Sequence, residues 1–113
     1  MIRATFLFDK EGRIGSFRME GHARAWRPWP DEICAGMSAI AQTVIGSLQE
    51  LAEVEPDYAL EPANIRCSVI YPDDRERAAV IEILMNTARV GCLQIENSYG
   101  KRYVTVIDRP YGK

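Results

Sequence analysis

Apolar and polar residues alternate along two segments near the N-terminus of the chain. Residues 2–8 (IRATFLF) and residues 14–20 (IGSFRME) both follow this period of two, which is typical of β-strands that bury one face. The tetrapeptide DKEG follows the first segment, and its glycine readily adopts the left-handed conformation that closes a short hairpin. The pattern therefore predicts a β-hairpin that carries Gly21 and His22 at the end of its second strand.

Two later segments place apolar residues at steps of three and four, the spacing of amphipathic helices. Asp31 stands where the N-cap of the first helix belongs, and Glu32 follows in its first turn. Residues 72–74 (PDD) open the second helix, and residues 97–100 (NSYG) end it. The apolar stripe of the first helix consists of Ile33, Met37, Ile40, Val44, Leu48 and Leu51; that of the second consists of Ile81, Leu84 or Met85, Ala88, Cys92 and Ile95.

The remaining pattern completes a small α+β domain. Residues 65–71 alternate again and predict a third strand, and residues 103–107 are rich in β-branched residues and predict a last one. Residues 53–63 are acidic, contain two prolines and are interpreted as a surface connection. The expected order is β-β-α-β-α-β: a two-layer sandwich, with a sheet of about four strands and two helices on one face. At 113 residues the chain, 1–113, is expected to form a single domain.

Composition then limits the classes of function. The formal charge of −2 argues against direct nucleic-acid binding. The longest uncharged run, Ile33 to Gln49, has 17 residues, fewer than the ~20 that a membrane-spanning helix needs. The N-terminal apolar stretch is too short for a signal peptide, and three widely spaced cysteines do not suggest a disulfide framework. We therefore expect a cytoplasmic protein that does not associate with membranes.

Cys34 is the candidate for chemistry, because it falls in the first turn of the predicted first helix. The positive end of the helix dipole and N–H groups without intrahelical partners favour a thiolate there, and they would also stabilise an oxyanion. His22 is the single histidine of the chain and so the only imidazole that could act as its base. Asp31 could orient that imidazole or cap the helix. Ser38 lies four residues beyond Cys34 and so on the same helix face.

Structural interpretations compete with this catalytic one. Cysteine is among the most buried residue types, so Cys34 on a helix could belong to the core, as Cys67 and Cys92 are expected to do from their places on apolar stripes. The segment of residues 23–30 (ARAWRPWP) excludes a helix through its two prolines. Its tryptophans, Trp26 and Trp29, could cover the core or line a substrate loop.

Two short blocks carry a family resemblance. Gly-His-Ala at residues 21–23, followed by Asp31, Cys34-Ala35 and Ser38-Ala39, resembles the signature of the bacterial ribosomal-processing cysteine proteases. The resemblance implies that Cys34 is the nucleophile, that His22 is its general acid/base and that Asp31 and Ser38 support them. It also implies a homodimer without metal or organic cofactor. The implied substrate is the N-terminal extension of a large-subunit ribosomal protein.

The chain departs from that family at one position. Trp29, between Pro28 and Pro30, occupies the place where the family usually has a glycine two residues before the aspartate. We expect a stiffer, more apolar loop, with altered substrate preference or a peptide groove formed by Trp26 and Trp29. Two alternatives remain at this point: a non-catalytic ribosome-assembly or protein-binding module on the same scaffold, and a thiol-dependent hydrolase of a small acyl substrate.

Overall fold

A computed structural model of the chain describes residues 1–21 and 32–112. The described residues form a five-stranded sheet and two helices. In chain order the elements are β1 (Ile2–Phe8), β2 (Ile14–Glu20), α1 (Glu32–Glu50), β3 (Asp57–Glu61), β4 (Asn64–Ser68), α2 (Arg75–Tyr99) and β5 (Val104–Arg109).

The sheet is mixed and has the strand order β3-β4-β2-β1-β5. The pairs β1–β2, β2–β4 and β3–β4 are antiparallel, whereas β5 runs parallel to β1. The predicted N-terminal hairpin is present, with Gly12 at φ 80° in its turn. The Asp9 carboxylate stabilises this turn by accepting hydrogen bonds of 2.9 Å from the backbone N–H groups of Glu11 and Arg13.

Burial alternates along the central strands, and this shows why the sheet has one covered face. Ile2, Ala4 and Phe6 of β1 are at most 3% exposed, whereas Arg3 and Leu7, at alternate positions of the same strand, are exposed. Both helices contact the sheet and each other on the buried side. The predicted α+β fold, with two helices on one face of a small sheet, is confirmed.

The strand count needs a correction. The segment 53–63, interpreted from the sequence as a surface connection, contains the five-residue strand β3, so the order is β-β-α-β-β-α-β. Four of its five residues are exposed, which removes the alternating pattern that marks a half-buried strand. The strand is held instead by its pairing with β4, in which Tyr58 lies opposite Cys67.

The helices follow the predicted stripes, but the ends of both helices differ from the prediction. Leu51 lies beyond the last residue of the helix and is 66% exposed, whereas Ala41 and Ile45 take part in the buried stripe. At the N-terminus of α2, Asp74 lies in the segment predicted to open the helix and accepts hydrogen bonds from Glu76 and Arg77. The predicted end is three residues too early: the helix continues through Tyr99, and Gly100 follows its last residue.

Candidate active site

Cys34 is the third residue of α1, in the helix's first turn. Its side chain is partly exposed and packs against the edge of the hydrophobic core. The N-terminus of a helix directs backbone N–H groups and the positive end of the dipole toward such a position. The described part of the chain therefore places this partly exposed thiol at the N-terminal end of a helix.

A cavity of about 250 Å³ opens beside Cys34. Three parts of the fold form its wall: the first two turns of α1, the ends of β1 and β2, and the turn between β3 and β4. The lining residues are Ile2, Met19, Gly21, Cys34, Met37, Ser38, Pro62, Ala63, Asn64 and Ile65. Ser38, predicted to share a helix face with Cys34, thus lines the same cavity.

Gly21 is held between two other backbone segments at the edge of this cavity. Its N–H donates a hydrogen bond of 2.9 Å to the carbonyl oxygen of Ala63. A Cβ atom at Gly21 would lie 2.4 Å from the carbonyl oxygen of Met1, and its φ is 95°. Only glycine accommodates both the close approach and the left-handed backbone without strain. The position at which the chain leaves β2, directly before His22, is therefore fixed by the close approach of Met1, which precedes β1, and by the hydrogen bond to the β3–β4 turn.

His22, Asp31, Trp26 and Trp29 lie outside the described residues, so their predicted roles stay predictions. The described chain stops at Gly21 and resumes at Glu32, two residues before Cys34. Of the predicted site residues, the structure brings together Cys34 and Ser38.

The β3–β4 turn is the part of the site that sequence reasoning missed. Pro62, Ala63 and Asn64 line the cavity, and Ala63 adopts a left-handed φ of 62°. The available signal was the sequence Pro-Ala-Asn between Leu60 and Ile65, because proline and asparagine favour turns between strands. This turn signal falls within the segment 53–63 that the sequence pattern assigns to a surface connection.

The other two thiols lie in the core, as predicted. Cys67 and Cys92 are both 0% exposed. Burial raises the pKa of each thiol from 9.0 to about 12, with a smaller contribution from Asp57 at Cys67. Since the thiolate is the nucleophilic form of cysteine, neither is suited to catalysis near neutral pH.

Comparisons with known proteins agree with this geometry. Residues 1–105 match the family model described as cysteine protease Prp. The search of curated proteins finds no match to the chain.

Solved structures share the fold. The ribosomal processing protease Prp from S. aureus, in complex with a covalently linked product peptide, is 21% identical with a TM-score of 0.81, covering 96% of this chain and 100% of its own. The same protease with a substrate peptide is 20% identical, with a TM-score of 0.80 and the same coverage. A Streptococcus mutans protein is 20% identical, with a TM-score of 0.80, covering 97% of this chain and 95% of its own. Because the family model spans nearly the whole sequence, this chain belongs to the Prp family of cysteine proteases.

Proposed function

We propose that this protein is a cysteine endopeptidase that removes the N-terminal extension of a large-subunit ribosomal protein. The observation that carries the proposal is the position of Cys34, in the first turn of α1 and at the wall of a cavity beside the sheet. Membership of the protease family supports it, as do the S. aureus relatives, which are described as ribosomal processing proteases in complex with peptides.

In the proposed mechanism, the Cys34 thiolate attacks the carbonyl carbon of the scissile peptide bond. The carbonyl electron pair moves onto the oxygen, and the N–H groups at the start of α1 stabilise this oxyanion. As the tetrahedral intermediate collapses, the C–N bond breaks and His22 donates a proton to the leaving amine. Water then attacks the thioester and gives its proton to His22, which releases the new carboxylate and restores the thiolate. Asp31 would orient the imidazole, and Ser38 would support the reacting groups.

The cavity indicates which substrate side chain is accepted beside the scissile bond. Ile2, Met19, Met37 and Ile65 contribute apolar side chains to its wall, and no charged side chain of the described chain lines it. Burying a charged group there without a partner would be costly, whereas burying an apolar side chain is favourable. We therefore propose that an apolar residue of the substrate occupies this cavity.

We also propose that the enzyme is a cytoplasmic homodimer that uses no metal or organic cofactor. Family membership supports this proposal. The formal charge of −2 supports a function without direct nucleic-acid binding. The predicted partner is accordingly the extended N-terminal peptide of a ribosomal protein, and we do not expect association with a membrane.

Cleavage of a peptide that spans such an extension tests the proposal directly. We expect Cys34→Ala and His22→Ala to reduce kcat/KM at least about 1,000-fold, because both would remove groups of one catalytic unit. Ser38→Ala, which removes a hydroxyl group from the cavity wall, should also reduce kcat/KM, whereas Ser47→Ala, on the same helix but outside the cavity, should not. Alkylation at neutral pH should label Cys34 much faster than Cys67 or Cys92, whose raised pKa keeps them protonated.

Two outcomes would contradict the proposal. Cleavage that survives both Cys34→Ala and His22→Ala would exclude this pair as the catalytic groups. Tight binding of the peptide with no cleavage by the wild type would support the non-catalytic binding module instead. In that case, alanine at Trp26 and Trp29 should abolish binding while Cys34→Ala leaves it intact.

A further inference from the structure

Two arginines lie directly opposite each other on the face of the sheet that α1 and α2 leave open. In the register of β2 and β4, Arg18 pairs with Arg66. Both residues are exposed, whereas their neighbours Phe17, Met19 and Cys67 are buried on the helix side. Because side chains alternate between the two faces of a strand, both guanidinium groups belong to the open face.

This arrangement of charge is unfavourable for the protein alone. Residues directly opposite each other on antiparallel strands have Cβ atoms about 5 Å apart, and like charges at such positions destabilise a sheet. Neither Arg18 nor Arg66 forms an ion pair or a side-chain hydrogen bond with any described residue. The register continues their row across the sheet with three uncharged residues: Ala59 on β3, Thr5 on β1 and Ile107 on β5. The two positive charges are therefore unbalanced within their row.

Hydroxyl groups lie next to the arginine pair. Ser16 is opposite Ser68, two residues along the same two strands, and Thr5 is opposite Arg18. Within the part of the chain that the structure describes, none of these three hydroxyl groups forms a hydrogen bond. All five side chains line one shallow cavity of about 290 Å³, which we call the arginine site. Guanidinium and hydroxyl groups both donate hydrogen bonds, so the arginine site is suited to an anion.

The number and charge of these donors fit a phosphate group better than a carboxylate. A carboxylate has two oxygens and one negative charge, and a single guanidinium group can bind it through both oxygens. A phosphate monoester carries a charge of about −1.5 to −2 at pH 7 and has three strong acceptor oxygens. It can therefore balance both arginines and still accept hydrogen bonds from the hydroxyl groups.

The surroundings of the arginine site favour a single phosphate group over a chain of phosphates. Asp57 and Glu61 on β3 lie diagonally next to Arg66, and Glu20 lies two residues beyond Arg18. An extended polyanion that crossed the sheet would meet these carboxylates. The register also places no aromatic residue on the open face of the described strands, so a nucleic-acid base would have no ring on which to stack.

The margin of the arginine site can contact the rest of a small ligand. Leu7 lies opposite Ser16 and is 45% exposed, so it offers an apolar contact. Glu20 also lines the cavity, and its carboxylate can accept hydrogen bonds from hydroxyl groups. Because Glu20 lies opposite Arg3 in the register, an arginine outside the cavity balances its charge.

We propose that Arg18 and Arg66 bind the phosphate group of a small phosphate monoester. The neighbouring hydroxyl groups donate hydrogen bonds to its remaining oxygens, and Leu7 and Glu20 contact its organic part. No residue of the arginine site lines the cavity at Cys34. The proposal is therefore independent of the proposed protease function, and neither depends on the result of the other's test.

Isothermal titration of the full chain with glycerol 3-phosphate tests the arginine site, with glycerol as the matched probe that lacks the phosphate. We expect a Kd of about 1 mM or tighter for glycerol 3-phosphate and no measurable binding of glycerol. Arg18→Gln and Arg66→Gln should each weaken binding at least about 10-fold, because each removes charge-assisted hydrogen bonds. Lys10→Gln is the matched control: it changes the net charge equally, but Lys10 is exposed in the turn between β1 and β2, outside the cavity.

Unfolding in urea gives an independent measurement. Without ligand, Arg66→Gln should raise the urea midpoint, because it removes one of two opposed like charges, whereas Lys10→Gln should leave the midpoint unchanged. Glycerol 3-phosphate should raise the midpoint of the wild type but not that of Arg66→Gln, since a ligand stabilises only the state that binds it.

Four results would overturn the proposal. Absence of binding at about 10 mM glycerol 3-phosphate would exclude a phosphate site of useful affinity. Equal weakening by Arg66→Gln and Lys10→Gln would indicate attraction by net charge alone. Inorganic phosphate that binds as tightly as glycerol 3-phosphate would show that the organic part makes no contact. A phosphoserine peptide or an RNA oligonucleotide that binds at least about 10-fold more tightly, and loses this binding with Arg66→Gln, would assign the arginines to a macromolecular partner.

Discussion

Gly21 connects the backbone of the sheet to the proposed catalytic histidine. We expect Gly21→Ala to lower the free energy of unfolding by about 1–3 kcal/mol, because its Cβ would meet the carbonyl oxygen of Met1 at 2.4 Å and its φ is 95°. Cleavage should also fall, since displacement of this residue would displace the neighbouring His22. Chemical denaturation and kcat/KM measure the two effects.

Gly15→Ala is the control for that substitution. Gly15 also lies in β2, but a Cβ there meets nothing within 4 Å and its φ is not positive. An alanine should therefore be neutral or stabilise the strand by up to about 1 kcal/mol. Equal stability and equal activity of the two variants would show that the close approach at Gly21 does not position the site.

At the scale of elements, the close packing of α1 against α2 requires Gly91 in α2, although glycine has a low helix propensity. A Cβ at Gly91 of α2 would lie 3.0 Å from the Cδ1 atom of Ile40 on α1, whereas a Cβ at Gly46 would meet nothing within 4 Å. Gly46→Ala should therefore stabilise the protein by up to about 1 kcal/mol through helix propensity. Gly91→Ala should lose this gain, because Ile40 must move to admit the new methyl group.

Thermal and chemical unfolding of the two variants measure this difference. We expect Gly46→Ala to unfold at a higher temperature than the wild type and Gly91→Ala to unfold below Gly46→Ala. The same gain in both variants would mean that the contact between the helices yields without cost, and it would contradict close packing at this point.

For the whole molecule, two buried thiols and one half-buried phenol make the free energy of unfolding depend on pH in the alkaline range. The pKa of Cys67 and of Cys92 is raised by burial from 9.0 to about 12, and that of Tyr71 from 10.0 to about 12, also chiefly by burial. The folded protein holds these protons more tightly than the unfolded chain. The resulting stability is complete below about pH 9 and is lost as pH rises toward 12.

We therefore expect the free energy of unfolding to fall between pH 8 and pH 10. At pH 10 each thiol should contribute about 1 kcal/mol to this decrease, since the unfolded thiol is mostly ionised there and the folded one is not. Denaturation at both pH values measures the change, and Cys92→Ala should reduce it by the share of one thiol. Equal stability at pH 8 and pH 10 would contradict the raised pKa values.

Local sequence patterns alone were sufficient to predict much of this protein. The periods of the central strands and both helices, the cap of α2 by Asp74 and the burial of Cys67 and Cys92 follow from residues close together in the chain. The same patterns placed Cys34 at the start of α1 and on one helix face with Ser38. Such features depend on interactions within a few residues, and for that reason they can be recognised without knowledge of the fold.

Only the tertiary structure decided how the cavity is closed. The strand β3 exists because β4 supplies its hydrogen-bonding partners, and the exposed residues of β3 carry no period of their own. Ala63 and the carbonyl oxygen of Met1 reach Gly21 from distant parts of the chain. The two contacts at Gly21 join residues that are about 20 and 40 positions apart, so no local pattern records them, and the pairing of strands determines them instead.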